Sequence, residues 1–180
     1  MKDPKRLFVL AAALLFMLPT SAYPSIAGRL FQWREPTFLV PLRVRGNIQI
    51  REDPYGSGSF GAPRNGGRRH RGVDLVAPVG TPVLAAKSGR AMIGRIRNGM
   101  GRYVEVRHPD GWVSRYGHLR RIAIRDRQRV HRGDILGTVG KSGNARRRII
   151  QSHLHFEVIN ARGTPVNPLE VMEAAKGDEP

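Results

Sequence analysis

Three short stretches of this sequence carry groups that bind metals and move protons. In His70-Arg71-Gly72-Val73-Asp74 an imidazole precedes a carboxylate by four residues. In Gln151-Ser152-His153-Leu154-His155-Phe156-Glu157-Val158 two histidines alternate with apolar side chains. In Arg115-Tyr116-Gly117-His118-Leu119 a single histidine follows an apolar-alternating run. Zinc takes nitrogen and oxygen ligands, and a catalytic zinc keeps three protein ligands and leaves a fourth position for water. Two histidines and one aspartate from the first two stretches would supply that set, leaving one histidine of the His-x-His pair beside the metal. His118 would then serve as a proton shuttle, because an imidazole titrates near pH 6.5, at about neutrality. No cysteine occurs. That excludes a thiolate metal site, a cysteine nucleophile, a disulfide framework and a lipid-attachment cysteine.

The elements that must position these groups are short strands. Leu154, Phe156 and Val158 alternate with His153, His155 and Glu157. This predicts a strand with one apolar face for a core and both histidines on the other face, roughly 7 Å apart at Cα. Gly72 and the run after it favour a loop entering a strand, so the fold, and not helical spacing, must bring His70 to Asp74. Further strand patterns cover residues 47–51, 73–76, 82–86, 90–95, 103–107, 112–116, 134–139 and 153–159. Turn signals separate them, among them Asn98-Gly99 and Ser142-Gly143-Asn144, and His108-Pro109-Asp110-Gly111-Trp112 reads as a hairpin turn. Many short strands without a long amphipathic helix predict an all-β fold, a compact antiparallel β-sandwich or barrel. Residues 168–176 read as a short terminal helix and 177–180 as a loose end.

The chain opens with a basic segment, an unbroken apolar run at residues 7–18 and then Pro19-Thr20-Ser21-Ala22. This is the pattern of a secretory signal peptide over residues 1–22; the competing reading is an uncleaved membrane anchor with the rest of the chain outside. Either address is exported, to the periplasm or cell envelope. Residues 23–45 are rich in Pro and Arg and read as a linker or arm that packs on the domain. Residues 46–170 form the domain and 171–180 a C-terminal tail. The formal net charge of +17 draws the chain to polyanions. The aromatic residues are not interleaved with the arginine clusters, and the address is exported, so nucleic acid is not expected. Anionic envelope polymers, that is cell-wall polymers and phospholipid headgroups, are the expected partners, with the protein a monomer.

The motifs taken together resemble the lysostaphin/LytM-type zinc endopeptidases of the bacterial cell wall. The resemblance spans roughly residues 47–169. It is carried by Tyr55-Gly56-Ser57-Gly58-Ser59-Phe60-Gly61-Ala62-Pro63-Arg64, His70-Arg71-Gly72-Val73-Asp74-Leu75, Ala77-Pro78-Val79-Gly80-Thr81-Pro82-Val83, Tyr116-Gly117-His118-Leu119, Val130-His131-Arg132-Gly133-Asp134 and Ser152-His153-Leu154-His155-Phe156. It implies a LytM-type domain with His70, Asp74 and His155 as Zn2+ ligands. It also implies His118 and His153 as the non-ligand pair acting on the water and the developing oxyanion. Ser152 stands where the pattern has proline, and Arg146-Arg147-Arg148 makes the preceding connection unusually basic.

The expected activity is zinc-dependent hydrolysis of peptide cross-links in peptidoglycan. The rivals are a non-catalytic wall-binding module that activates a partner hydrolase, and a basic protein that binds anionic polymers without chemistry. His108 and His131, each beside a turn, are expected to be ordinary surface histidines. Glu157 shares the histidine face and could either orient a ligand ring or face solvent.

Overall fold

The computed structural model describes residues 25–43 and 47–173. The expected signal peptide at residues 1–22 and the expected loose end at 177–180 lie outside them. Helix α1 spans Ile26–Arg34. The strands that follow are β1 (Glu52–Asp53), β2 (Gly56–Ser57), β3 (Val73–Val76), β4 (Pro82–Leu84), β5 (Gly89–Ile96) and β6 (Gly101–Arg107). Then come β7 (Val113–Gly117), β8 (Leu119–Ile122), β9 (Arg129–Val130), β10 (Ile135–Val139), β11 (His153–Ile159) and β12 (Pro165–Val166), and helix α2 closes the series at Pro168–Val171.

The main sheet runs β12-β11-β7-β6-β5-β9, with β3 also paired to β11. A smaller sheet runs β4-β10-β8, and β1 and β2 form a separate ribbon. All the paired strands are antiparallel, so the fold is the expected all-β architecture. Strand β11 shares one edge between two partners: β3 takes residues 153–156 and β12 takes Val158 and Ile159, while β7 runs along the other edge.

The apolar face of β11 enters the core as its alternation requires. Leu154, Phe156 and Val158 are fully buried with Val73, Leu75, Val104, Val106 and Tyr116. Each such side chain contributes about 1.5–3 kcal/mol over leaving it in water. The turn at 108–112 is the expected hairpin: the His108 N–H donates to Trp112 O at 2.9 Å, and Asp110 Oδ1 accepts from the Trp112 N–H.

Several expectations are corrected. Residues 47–51 form no continuous strand, although they follow the free edge of β3: Ile50 bridges Leu75, the Val76 N–H donates to Gln49 O and the Arg51 N–H donates to Asp74 O. The terminal helix stops at Val171, short of the expected span. Met172 turns extended and pairs with Phe38, and the Glu173 N–H donates to Phe38 O. The arm also carries an unexpected helix, α1. Ser25 caps α1 by accepting from the Gly28 N–H, and Glu35 just beyond α1 accepts from the Ser88 N–H and Oγ–H at 2.8 and 2.6 Å. Phe38 and Leu42 then bury into the core.

Candidate metal centre

Three neighbouring strands and one loop build the site. Strand β3 carries Asp74, β11 carries His153 and His155, and β7 delivers its last residue, Gly117, opposite His155. His118 follows at once with φ of 60°. This left-handed conformation costs a non-glycine residue about 1–3 kcal/mol, and it turns the side chain toward β11. His70 comes from the loop before β3, which the His70 N–H ties to Ala62 O at 2.9 Å. Gly72 lets that loop lie on β11, since a Cβ there would stand 2.2 Å from Phe156 O. The spacing of His70 and Asp74 therefore reflects a loop-to-strand approach.

Three atoms able to ligate a metal converge. Asp74 Oδ1 lies 2.8 Å from His155 Nδ1 and 3.2 Å from His70 Nε2, and the two nitrogens are 3.0 Å apart. Zinc bonds of about 2.0–2.1 Å at tetrahedral angles place ligand atoms about 3.3 Å apart. Two imidazole nitrogens and one carboxylate oxygen, drawn together to within a few tenths of an ångström of that spacing, fit the ion. All three residues are buried.

The atoms that do not face the centre are each tied down. His70 Nδ1–H donates to Ser59 O at 2.9 Å, which leaves Nε2 as the free lone pair. His155 Nε2–H donates to Glu157 Oε1 at 3.1 Å, which leaves Nδ1 free. Glu157 thus orients one of the converging rings, the first of the two positions expected for it. Asp74 Oδ2 accepts from Arg51 Nε and Nη2 at 3.2 and 3.1 Å, so Oδ1 alone faces the centre. Arg51 also pairs with Asp53 at 2.6 Å, Asp53 Oδ2 accepts from the Gln151 N–H, and Gln151 O accepts from His153 Nδ1–H at 2.6 Å. The chain Asp74–Arg51–Asp53–Gln151–His153 joins one of the converging groups to the histidine beside it. The sequence carried no signal for it, since Arg51 is one arginine among many.

His118 and His153 stand beside the three, not among them. His118 Nδ1–H donates to Ser142 O at 2.8 Å, so Nε2 is its free nitrogen, as in His153. Their rings meet edge to face at 4.9 Å, and His153 Nε2 is 3.8 Å from Asp74 Oδ1.

The electrostatics separate these groups. Burial and the neighbouring His153 and His155 push His118 down to about 3. Burial also lowers His153. Burial disfavours the charged form of His155 too, but its hydrogen bonds to Asp74 and Glu157 prevail and raise it to about 9. Asp74 is buried, yet the imidazoles around it hold its carboxyl well below the usual carboxylate range. The centre therefore favours positive charge at the three converging atoms and keeps the two flanking imidazoles neutral.

Of the remaining histidines, His131 is exposed as expected. His108 is not: it is 5% exposed. Its Nδ1–H donates to Ser88 O at 2.9 Å and its Nε2 faces Ser114 Oγ at 3.0 Å. The hairpin turn folds it under the arm, against the Phe38 ring, beside the buried Lys87–Asp110 ion pair. A turn-flanking histidine lies at the surface only when nothing covers the turn.

Comparison with known proteins bears on this geometry. Residues 68–168 match the model of Peptidase family M23. The chain is 38% identical over 104 residues to the peptidoglycan DD-endopeptidase ShyC of Vibrio cholerae, an alignment covering 58% of this chain and 23% of that protein. It thus spans under a quarter of that relative. Among solved structures, a zinc-containing peptidase from Vibrio cholerae superposes with a TM-score of 0.56 at 29% identity, over 73% of this chain and 39% of that one. The catalytic domain of lysostaphin from Staphylococcus simulans superposes at 0.53 and 27% identity, over 78% of this chain and 95% of that domain.

Proposed function

The chain belongs to peptidase family M23, and on that premise we propose that it is a zinc-dependent endopeptidase that hydrolyses peptide cross-links of bacterial peptidoglycan. The observation that carries the reading is the convergence of His70 Nε2, Asp74 Oδ1 and His155 Nδ1 within 3.2 Å of one another, each with its other polar atom already engaged. In this reading these three residues hold the ion. A zinc ion there supplies Lewis acidity, which acidifies water and polarises a peptide carbonyl.

The remaining steps fall to the chain's own side chains. His118 and His153 are neutral near pH 7 and present Nε2 to the same space. One accepts the proton of the attacking water, and an imidazolium of the pair returns a proton to the leaving amine. In their protonated state both rings donate, which suits a developing oxyanion. Arg51 and Glu157 hold Asp74 and His155 in the orientation the centre needs.

In the same reading residues 1–22 export the chain to the periplasm or cell envelope, 23–45 are an arm, 46–170 the peptidase domain and 171–180 a tail, and the protein acts as a monomer. Among the described residues no helix is long and apolar enough to cross a membrane.

The test is digestion of purified peptidoglycan by the zinc-loaded chain alone, with mass spectrometry of the released fragments. Loss of cross-links that stops on chelation is the expected result. A chain that clears wall only when a partner hydrolase is added would mark it as a regulatory module instead, and equal activity with and without chelator would remove zinc from the mechanism.

A further inference from the structure

We propose that the basic lip of the groove over the centre, formed by Arg68, Arg69 and Arg71, docks free carboxylates of the substrate, so that the chain selects acidic peptide stems over uncharged bridges. This rests on the endopeptidase reading for the identity of the ligand, though not for the existence of the site.

The groove encloses about 730 Å³, and Arg51, Arg64, Arg68, Arg69 and Arg71 line it beside the histidines. Its only lining carboxylates among the described residues are Asp74 and Glu157. Both are committed: Asp74 to Arg51 and the imidazoles, Glu157 to His155 and Arg115. Arg68, Arg69 and Arg71 are exposed and form no ion pair among the described residues.

They are held at the lip by local structure. Residues 63–69 form a small hairpin, in which Pro63 bridges Arg69 and the Arg64 N–H donates to Arg68 O at 2.9 Å. Its tip turns on Gly66 and Gly67, with φ of 75° and 70°. A Cβ at either would meet nothing within 4 Å, so the backbone angle alone calls for glycine. Arg68 Nε–H donates to Asn65 O and Arg69 Nη1–H to Gly61 O, which steadies both side chains and leaves their other N–H groups free. At Tyr55, another lining residue, the Arg147 guanidinium lies 5.2 Å from the ring centroid and adds positive charge.

A cleft lined by one sign of charge concentrates ligands of the other. A guanidinium offers parallel N–H donors that match a carboxylate's two oxygens. An uncharged peptide bridge offers these groups only carbonyl oxygens, which accept single hydrogen bonds and carry no opposite charge. A peptide with free carboxylates near the scissile bond gains an ion pair with each one it reaches.

The test uses the full chain with its metal chelated, so that binding is read apart from hydrolysis. The probes are a synthetic cross-linked stem peptide with free α-carboxylates and the same peptide as primary amides. At low salt the free acid should bind roughly tenfold more tightly than the amide. In Arg68→Gln/Arg71→Gln that ratio should fall toward one. In Arg95→Gln/Arg162→Gln, which removes the same charge away from the groove, it should persist. Equal affinity for the two probes, or equal loss of the ratio in both variants, overturns the proposal. An oligomeric glycerol phosphate that displaces the acid peptide at a tenfold lower concentration overturns it too, in favour of a phosphate polymer. Discrimination in binding without hydrolysis once zinc is restored supports the docking site while sinking the endopeptidase reading.

Discussion

Asp74 and His155 are register partners on antiparallel strands β3 and β11, and their side chains meet with Oδ1 2.8 Å from Nδ1. Paired strands fix this distance, because cross-strand neighbours on one face stand about 4.5–5.5 Å apart at Cβ. Two of the three converging groups are therefore placed by ladder hydrogen bonds at the β3–β11 end of the main sheet. On the other edge of β11, Gly117 is opposite His155, so the next residue, His118, reaches the same space from the far side. Only His70 depends on a loop, and its backbone hydrogen bond to Ala62 and the bond from Nδ1–H to Ser59 O hold it there.

The two histidines of β11 should separate in function. His155→Ala removes a converging nitrogen, and metal analysis should find that stoichiometric zinc is lost. His153→Ala removes a ring whose Nε2 is 3.8 Å from Asp74 Oδ1, outside the cluster. It should keep zinc and lose about 10²–10⁴ in kcat, the scale of a positioned proton-transfer group. Loss of metal in both variants would refute the division.

Glu157→Gln tests the partner of the His155 ring. The amide can still meet Nε2, but it no longer offers the negative charge that raises the basicity of the ring. Zinc affinity, measured by competition with a chromogenic chelator, should fall about 10–100-fold. An unchanged affinity would make Glu157 a packing residue only.

Much of this arrangement was legible because strands announce themselves by period. The alternation around His153 and His155 marks the strand, its buried apolar face and the shared face of the histidines. What escaped depends on partners distant in sequence. Arg51 has a role only because Asp53 of β1 and Asp74 of β3 meet at its guanidinium, and Asp53 in turn holds the Gln151 N–H. His108 looked exposed because its cover, Phe38, lies 70 residues upstream. The helix expected at 168–176 gave way to an extended Met172 because Phe38 offered it backbone pairing. Helix α1 was hidden by an arginine- and proline-rich composition without a clean apolar period.

His108 makes the fold sensitive to acid. Burial lowers it from 6.5 to about 4, so between those pH values the unfolded chain binds a proton that the folded one resists. The stabilisation is complete above pH 6.5 and is lost as pH falls through 4, a total of about 3 kcal/mol at 1.36 kcal/mol per unit. Denaturant titrations with metal chelated should show this loss in the wild type and a flatter profile in His108→Gln. Parallel profiles would show that His108 titrates normally.

Arg51 should matter most when no metal is bound. It is 5% exposed and faces two carboxylates, Asp74 at 3.1 Å and Asp53 at 2.6 Å. Arg51→Met keeps an apolar stem but leaves Asp53 without its cation and Asp74 with only the more distant Arg64, 3.6 Å away. Breaking a buried pair by removing one partner costs about 3–5 kcal/mol, so metal-free Arg51→Met should lose stability on that scale in chemical denaturation. Arg51→Lys keeps the charge, but a single ammonium cannot span both acids as the planar fork does, and it should fall between the two. Zinc should narrow the gap, because an ion at Asp74 Oδ1 would supply the positive charge that Arg51 supplies at Oδ2. The same variant should loosen His153, whose Nδ1–H is held through Gln151 and Asp53, so kcat should fall by more than the metal content does. A metal-free Arg51→Met as stable as the wild type would show that the chain from Asp74 to His153 carries no load.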